Sequence, residues 1–163
     1  MNSGGWRLPT TTAVLVALLL AGSALAGDIT GAARPIDGDT IEVAGQRIRL
    51  AAIDAPERSQ TCTGVGGETY ECGRDAAATL AAMIRDQLVT CVPQSRDRYG
   101  RTVATCSTAA GDIGAAMVRA GWAVAYRRYG HQYVGDEEAA RVERRGMWSG
   151  RFTEPEQWRR ERH

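Results

Sequence analysis

Residues 37–57 read Asp-Gly-Asp-Thr-Ile-Glu-Val-Ala-Gly-Gln-Arg-Ile-Arg-Leu-Ala-Ala-Ile-Asp-Ala-Pro-Glu, and few folds can house that stretch. Two short runs, 40–43 and 47–53, are rich in β-branched or large apolar residues, and Gly45 supplies a turn between them. A two-residue turn at Gly45-Gln46 pairs Val43 with Ile48 and Ile41 with Leu50, which puts apolar opposite apolar on one buried face. The same register sets Arg49 against Glu42, Asp39 against Ala52 and Asp37 against Asp54. Three carboxylates then crowd one end of a hairpin. Like charges so close are costly unless a cation sits among them. Glu57 follows three residues later, held by Pro56. Asp-Gly is also an ordinary turn, and acids near strand ends are common, so these residues alone fit a cation site and a solvated turn alike.

The N-terminal segment bears on compartment. Residues 1–26 have the pattern of a secretory signal peptide: Arg7 as the only charge, a short apolar run at 13–21, and Ala24-Leu25-Ala26 as a cleavage signal. The threonines at 10–12 and Ser23 leave the apolar core too short to span ~30 Å of hydrocarbon. Cleavage after Ala26 would give a mature chain, 27–163, that is exported to the periplasm or secreted. Removing Arg7 from the 20 basic residues leaves them equal in number to the 19 acidic ones, so any basic surface must be local. Cysteine usage agrees with export. Cys62, Cys72, Cys91 and Cys106 all lie in the mature part, and an even number after a signal peptide suggests disulfides. Of the three possible pairings we favour Cys62–Cys72, closing a Gly-rich loop, with Cys91–Cys106, across two β-like runs. The absence of any Cys-x-x-Cys pair weighs against a zinc site.

Along the chain, 28–33 can supply a first strand and 39–53 the hairpin. Residues 58–73 form a loop, and 74–86 an amphipathic helix with Ala77, Leu80, Ala81 and Ile84 at helical spacing. A strand at 87–92, a charged turn at 96–101 and a returning strand at 102–106 follow. Asp112 caps a helix at 113–120 that Gly121 ends. A third helix at 136–145 carries Glu137 and Arg141 as an i,i+4 pair, and Met147-Trp148 tucks back onto the core. One domain over 27–152 is expected, with a charged, solvated tail at 153–163. Five β-like runs with a helix between the third and fourth point to a small Greek-key barrel, of the partly open kind that binds oligonucleotides on one face. Fold alone does not establish function.

The stretch Arg96-Asp97-Arg98-Tyr99-Gly100-Arg101 would be a solvated hairpin tip if it stood alone. Combined with the hairpin, it completes a set of parts: acids able to hold a hard cation, a free carboxylate at Glu57, and arginines at 49 and 101. Phosphodiester hydrolysis asks for those parts. A metal neutralises phosphate charge and orients water, a carboxylate takes the water's proton, and guanidiniums hold the charge of the transition state.

Asp37-Gly-Asp-Thr40, Arg49-Leu-Ala-Ala-Ile-Asp54-Ala-Pro-Glu57, Asp97-Arg-Tyr-Gly-Arg101, Gly121-Trp-Ala-Val-Ala-Tyr126 and Gly146-Met-Trp148 occur in the order found in the staphylococcal nuclease-like (thermonuclease) family, which the chain resembles from about residue 29 to residue 148. The resemblance implies an α+β fold, a five-stranded OB-type Greek-key β-barrel with three packed α-helices. It implies a monomeric, calcium-dependent nuclease that cuts DNA and RNA at the 5′ side of the phosphate and leaves 3′-phosphate ends. It further implies roles for single residues. Asp39 and Asp54 resemble the Ca²⁺ carboxylates, and Ala55 stands where the family offers a backbone carbonyl to the metal. Glu57 resembles the general base, and Arg49 and Arg101 the phosphate-gripping arginines. Asp37 resembles a supporting acid, Tyr99 lies beside the site, and Tyr126 resembles a nucleotide-contacting tyrosine, with Tyr129 offset from a second. The four cysteines depart from the best-known member and resemble secreted bacterial relatives. The alternatives are a non-catalytic nucleic-acid-binding module on the same barrel, and a structural calcium site in a domain of other function. One joint stays open: the expected register faces Arg49 away from Asp39, so either a bulge or strong coiling joins them, or the register is wrong.

Overall fold

The computed structural model describes Met1 and residues 27–162; the expected signal peptide otherwise lies outside the described residues. Five strands make the barrel: β1 (Ile29–Pro35), β2 (Thr40–Val43), β3 (Gln46–Leu50), β7 (Leu88–Arg96) and β8 (Thr102–Thr108). The sheet runs β3-β2-β1-β7-β8, and a parallel pairing of β3 with β8 closes it. Between β3 and β7 come three two-residue strands, β4 (Ile53–Asp54), β5 (Cys62–Thr63) and β6 (Thr69–Tyr70), and the helix α1 (Cys72–Ile84). After β8 follow β9 (Gly111–Asp112), α2 (Ile113–Arg119), β10 (Val124–Ala125), α3 (Val134–Val142), a 3-10 turn (Gly146–Ser149) and α4 (Pro155–Glu161). The expected five-stranded barrel is present, with four helices among the described residues where three were expected. Among the described residues no helix is long and apolar enough to cross a membrane.

The alternating pattern of the strands fills the barrel. Ile41, Val43, Ile48, Leu50, Val89, Cys91, Ala104 and Cys106 point inward and are buried. Ala76, Leu80 and Ile84 of α1 close one end, and Met117 and Val118 of α2 join them in the same cluster. Asp112 caps α2 as expected, its carboxylate accepting from the Ala115 amide at 3.0 Å. A smaller cluster of Cys62, Cys72, Val124 and Met147 packs under the loop that leads from the hairpin into α1. Disulfides join Cys62 to Cys72 and Cys91 to Cys106.

Two expectations do not hold. The β2–β3 register is displaced by two residues: Ile41 faces Ile48, and Thr40, not Glu42, faces Arg49. The turn is Ala44-Gly45, with φ of 49° and 75°, the mirror-image turn whose twist suits a hairpin. Ala is a poor residue for a positive φ, which is why the sequence favours placing the turn one residue later. Because the displacement is even, the same side chains stay on the buried face. The Glu137–Arg141 pair is also absent among the described contacts. Glu137 is buried and accepts from the Ala125 amide at 2.9 Å and from Arg127, while Arg141 lies 5.1 Å over the Trp148 ring.

Cys91 and Cys106 sit directly opposite on β7 and β8, closing a ring with a sequence separation of 15. Replacing both by Ala should lower the unfolding free energy by about 3 kcal/mol, the loop-closure value for a ring of this size. A chemical-denaturation midpoint unchanged by the double substitution would refute that contribution.

Candidate active site

The acids gather where the hairpin ends. Backbone bonds from the Ile36 and Asp37 amides to Thr40 O tighten the loop, and Asp37 Oδ1 accepts from the Asp39 amide at 3.0 Å. Gly38 lies so close to α1 that a Cβ there would stand 2.7 Å from the Ala55 Cβ and 3.0 Å from the Ala76 Cβ. Past β3, Ala52 takes a φ of 56° and turns the chain sharply, so Asp54 lies in β4, which pairs with β10, instead of continuing the hairpin. The expected cross-strand pairings of Asp39 with Ala52 and Asp37 with Asp54 are therefore not made; Asp39 lies across from Leu50, whose amide donates to Asp39 O at 2.8 Å.

A guanidinium gathers the carboxylates that the ladder does not. Arg49 Nη1 donates to Asp39 Oδ1 at 2.7 Å, and Nη2 to Asp54 Oδ1 at 2.9 Å and to the Ile53 carbonyl at 3.3 Å. With Arg49 opposite Thr40, a long side chain reaches both acids around the end of the strand without a bulge. Asp39 is completed by Thr40 Oγ1 at 3.0 Å and the Ala55 amide at 3.2 Å. The Asp54 side chain is 1% exposed and that of Arg49 16%. Burial first, and then the charge of Asp39, push the Asp37 carboxyl up to about 6.

Glu57 projects from the next turn with its side chain 42% exposed. Its backbone is fixed from three sides. The Glu57 amide donates to Gln60 Oε1 at 3.2 Å, and the Glu57 carbonyl accepts from the Gln60 amide at 2.7 Å. Gly73, in the first turn of α1, packs against that same carbonyl, where a Cβ would stand 1.8 Å from the oxygen. Gln60 is fully buried, and its Nε2 donates to Thr153 O at 2.7 Å.

The parallel β3–β8 pairing sets Val103 beside Arg49, so Arg101, two residues earlier, falls on the same face. Asp97 holds Arg101, accepting from its amide at 2.9 Å and from its Nε at 2.7 Å. Burial works against the Asp97 charge, but the bonds from Arg101 and Tyr99 outweigh it and hold the carboxyl below its usual range. Tyr99 lies exposed beneath Arg98 and Arg101. Tyr126 packs edge-on to Tyr129 with ring centres 4.9 Å apart, which places both tyrosines in the site. One cleft of about 1030 Å³ brings together Asp37, Asp39, Arg49, Ala55, Glu57, Tyr99, Arg101 and Tyr126, while Asp54 is buried beneath it. Among the described residues no three His, Cys, Asp or Glu side chains form a ready-made metal group. The donors are hard carboxylate oxygens, converging on guanidiniums.

The expected solvated tail departs most from the sequence reading. Residues Pro155–Glu161 form α4, with Pro155 buried at its first turn. Arg159 leaves this helix to meet Asp54 and Glu57, donating Nη1 to Asp54 Oδ1 at 3.0 Å and to Glu57 Oε1 at 2.9 Å, and Nη2 to Asp54 Oδ2 at 2.8 Å. The contacts of Arg159 and of Gln60 are thus absent from the sequence expectations. A helix start at Glu154-Pro155 is a signal that could have found α4; nothing local marks Gln60.

A family model described as staphylococcal nuclease homologue matches residues 47–150. The match takes in Arg49, Asp54, Glu57 and Arg101, and leaves Asp37 and Asp39 before it and Arg159 after it. Succinoglycan biosynthesis protein ExoI of Rhizobium meliloti (strain 1021) is 45% identical over 118 residues, covering 71% of this chain and 62% of that protein. Protein ParB of Escherichia coli is 35% identical over 173 residues, covering 95% and 90%. Micrococcal nuclease of Shigella flexneri is 34% identical over 172 residues, covering 94% and 91%.

Gln60 ties the turn that carries Glu57 to the segment leading into α4. Replacing it by Leu should cost about 1–3 kcal/mol of stability, because the half-buried Thr153 carbonyl and Glu57 amide lose their partner. Urea unfolding measures this, and a midpoint equal to that of the parent would refute it.

Proposed function

Because the chain belongs to the staphylococcal nuclease homologue family, we propose that it is an exported hydrolytic nuclease that cleaves phosphodiester bonds of DNA and RNA with Ca²⁺ and releases 3′-phosphate ends. One observation carries the reading: a single cleft joins Asp39, Arg49, a half-exposed carboxylate at Glu57 and the clamped Arg101, and Arg49 also bonds Asp54, buried beneath the cleft. The disulfides suit an oxidising compartment, which supports export.

Asp39 and Asp54, with the Ala55 carbonyl, are the residues that would hold the cation, and Asp37 would support them. Their oxygens suit a hard divalent ion, and their present partners are cations already. Bound there, calcium would offset phosphate charge and favour attack by water. Glu57 would take the proton of that water as the new bond to phosphorus forms, while the bond to the 5′-oxygen breaks and that oxygen leaves as a hydroxyl, protonated from solvent. Arg49 faces the acids, next to where the phosphate must sit. Arg101 has its Nε committed to Asp97, so both Nη groups, without a partner among the described residues, are available to non-bridging oxygens. Tyr99, Tyr126 and Tyr129 offer ring faces to sugar or base.

The test is degradation of single-stranded DNA and RNA by the oxidised protein. Cutting should require Ca²⁺ and stop with chelator, and undiminished cutting by metal-free protein would sink the calcium assignment. Glu57→Gln should lower the rate at least about 100-fold. A rate equal to the parent's would remove Glu57 from the role of base.

A further inference from the structure

Arg159 takes up ground that the proposed chemistry needs. Its fork covers both oxygens of Asp54, and its Nη1 alone spans from Asp54 to Glu57. Asp54 Oδ1 also accepts from Arg49, so no oxygen of that carboxylate lacks a guanidinium partner. The three bonds to Arg159 are charge-assisted and two of them are bidentate, the strongest form of such contacts. They hold the guanidinium charged, raising its pKa although burial opposes it.

The contact is also one that can be given up locally. The Arg159 side chain is 30% exposed, so water reaches it. It stands on α4, seven residues long and too short to be stable by itself. The segment is held from outside by the Gln60–Thr153 bond, by Phe152 packed edge-on to Trp148 at 4.8 Å, and by buried Pro155. None of these depends on Arg159, so its side chain can leave the acids while the start of the helix stays docked.

We infer that Arg159 is a positioning residue that holds Asp54 and Glu57 while no divalent cation is bound, and that it exchanges with that cation for Asp54. The inference rests on the reading of Asp39 and Asp54 as cation ligands. Calcium contacts carboxylate oxygens directly, at 2.3–2.6 Å in general. A bidentate guanidinium occupies the same carboxylate edge, so the two compete. The fraction of molecules with Arg159 docked then lowers the apparent calcium affinity by that fraction, and calcium undocks Arg159 by the same coupling.

Calorimetric titration of the oxidised protein with CaCl₂ tests the exchange, beside amide hydrogen exchange of residues 155–161. Arg159→Gln should bind calcium about tenfold more tightly than the parent, because the docked fraction no longer competes. Arg159→Lys keeps the charge without the fork and should fall between. Asp54→Asn should lose binding. In the parent, saturating calcium should speed amide exchange in 155–161. Equal or weaker binding by Arg159→Gln, with Asp54→Asn still defective, would overturn the exchange and leave the cation reading standing. Calcium binding by none of the folded proteins would overturn both. Should Arg159→Gln fail to fold, the parent decides: exchange at 155–161 unmoved by saturating calcium overturns the inference.

Discussion

The bridge from Arg49 to Asp39 and Asp54 is the contact on which the rest of the site depends. Two carboxylates and a guanidinium lie almost wholly out of water, with side-chain burial above four-fifths for each. Breaking such a bridge by removing one partner leaves an uncompensated buried charge, a loss of about 3–5 kcal/mol in comparable sites. The bridge also joins three pieces of chain: the loop before β2, the end of β3, and β4. Thr40 Oγ1 shares Asp39 Oδ1 with Arg49 and the Ala55 amide donates to Oδ2, so the hairpin end is fixed by polar contacts where its ladder stops. Glu57 inherits its position from this frame, three residues beyond Asp54.

Close packing does the rest of the positioning. Gly38 lets the acid loop lie on Ala55 and α1, and Gly73 lets α1 start against the Glu57 carbonyl. Side chains at either position would push an acid away from its neighbours. The opposite wall of the cleft is organised differently, by a charged hairpin tip in which Asp97 accepts from the Tyr99 and Arg101 amides and from the Arg101 side chain. A near-neutral chain thus concentrates charges of both signs in one cleft, each clamp pairing a carboxylate with a guanidinium.

Much of this was legible in the sequence, because alternation, turn residues and caps act locally. The five barrel strands, α1 and the Asp112 cap follow from such signals, and of the three possible disulfide pairings the favoured one is formed. The hairpin register was misplaced by two residues because it hangs on a positive φ at Ala44, which local preference disfavours and the paired strands impose. The sharp turn at Ala52 has the same character. Glu137 was misassigned because helical spacing offers Arg141 as a partner, whereas tertiary folding brings the Ala125 amide and Arg127. Arg159 contacts acids 102 and 105 residues away, a distance over which no local pattern carries information.

Charge counting explains why an arginine from the far end of the chain belongs among these acids. Asp37, Asp39, Asp54 and Glu57 are four carboxylates, and the guanidiniums bonded among them are two, Arg49 and Arg159. With all four ionised, two negative charges remain uncompensated; the Asp37 carboxyl is pushed up first by burial and then by the charge of Asp39. Without Arg159 there would be three. A divalent ion among the acids would remove as much charge as two guanidiniums supply, from a far smaller volume and through direct contacts to oxygen. Arg159 keeps a buried carboxylate paired without neutralising the cluster.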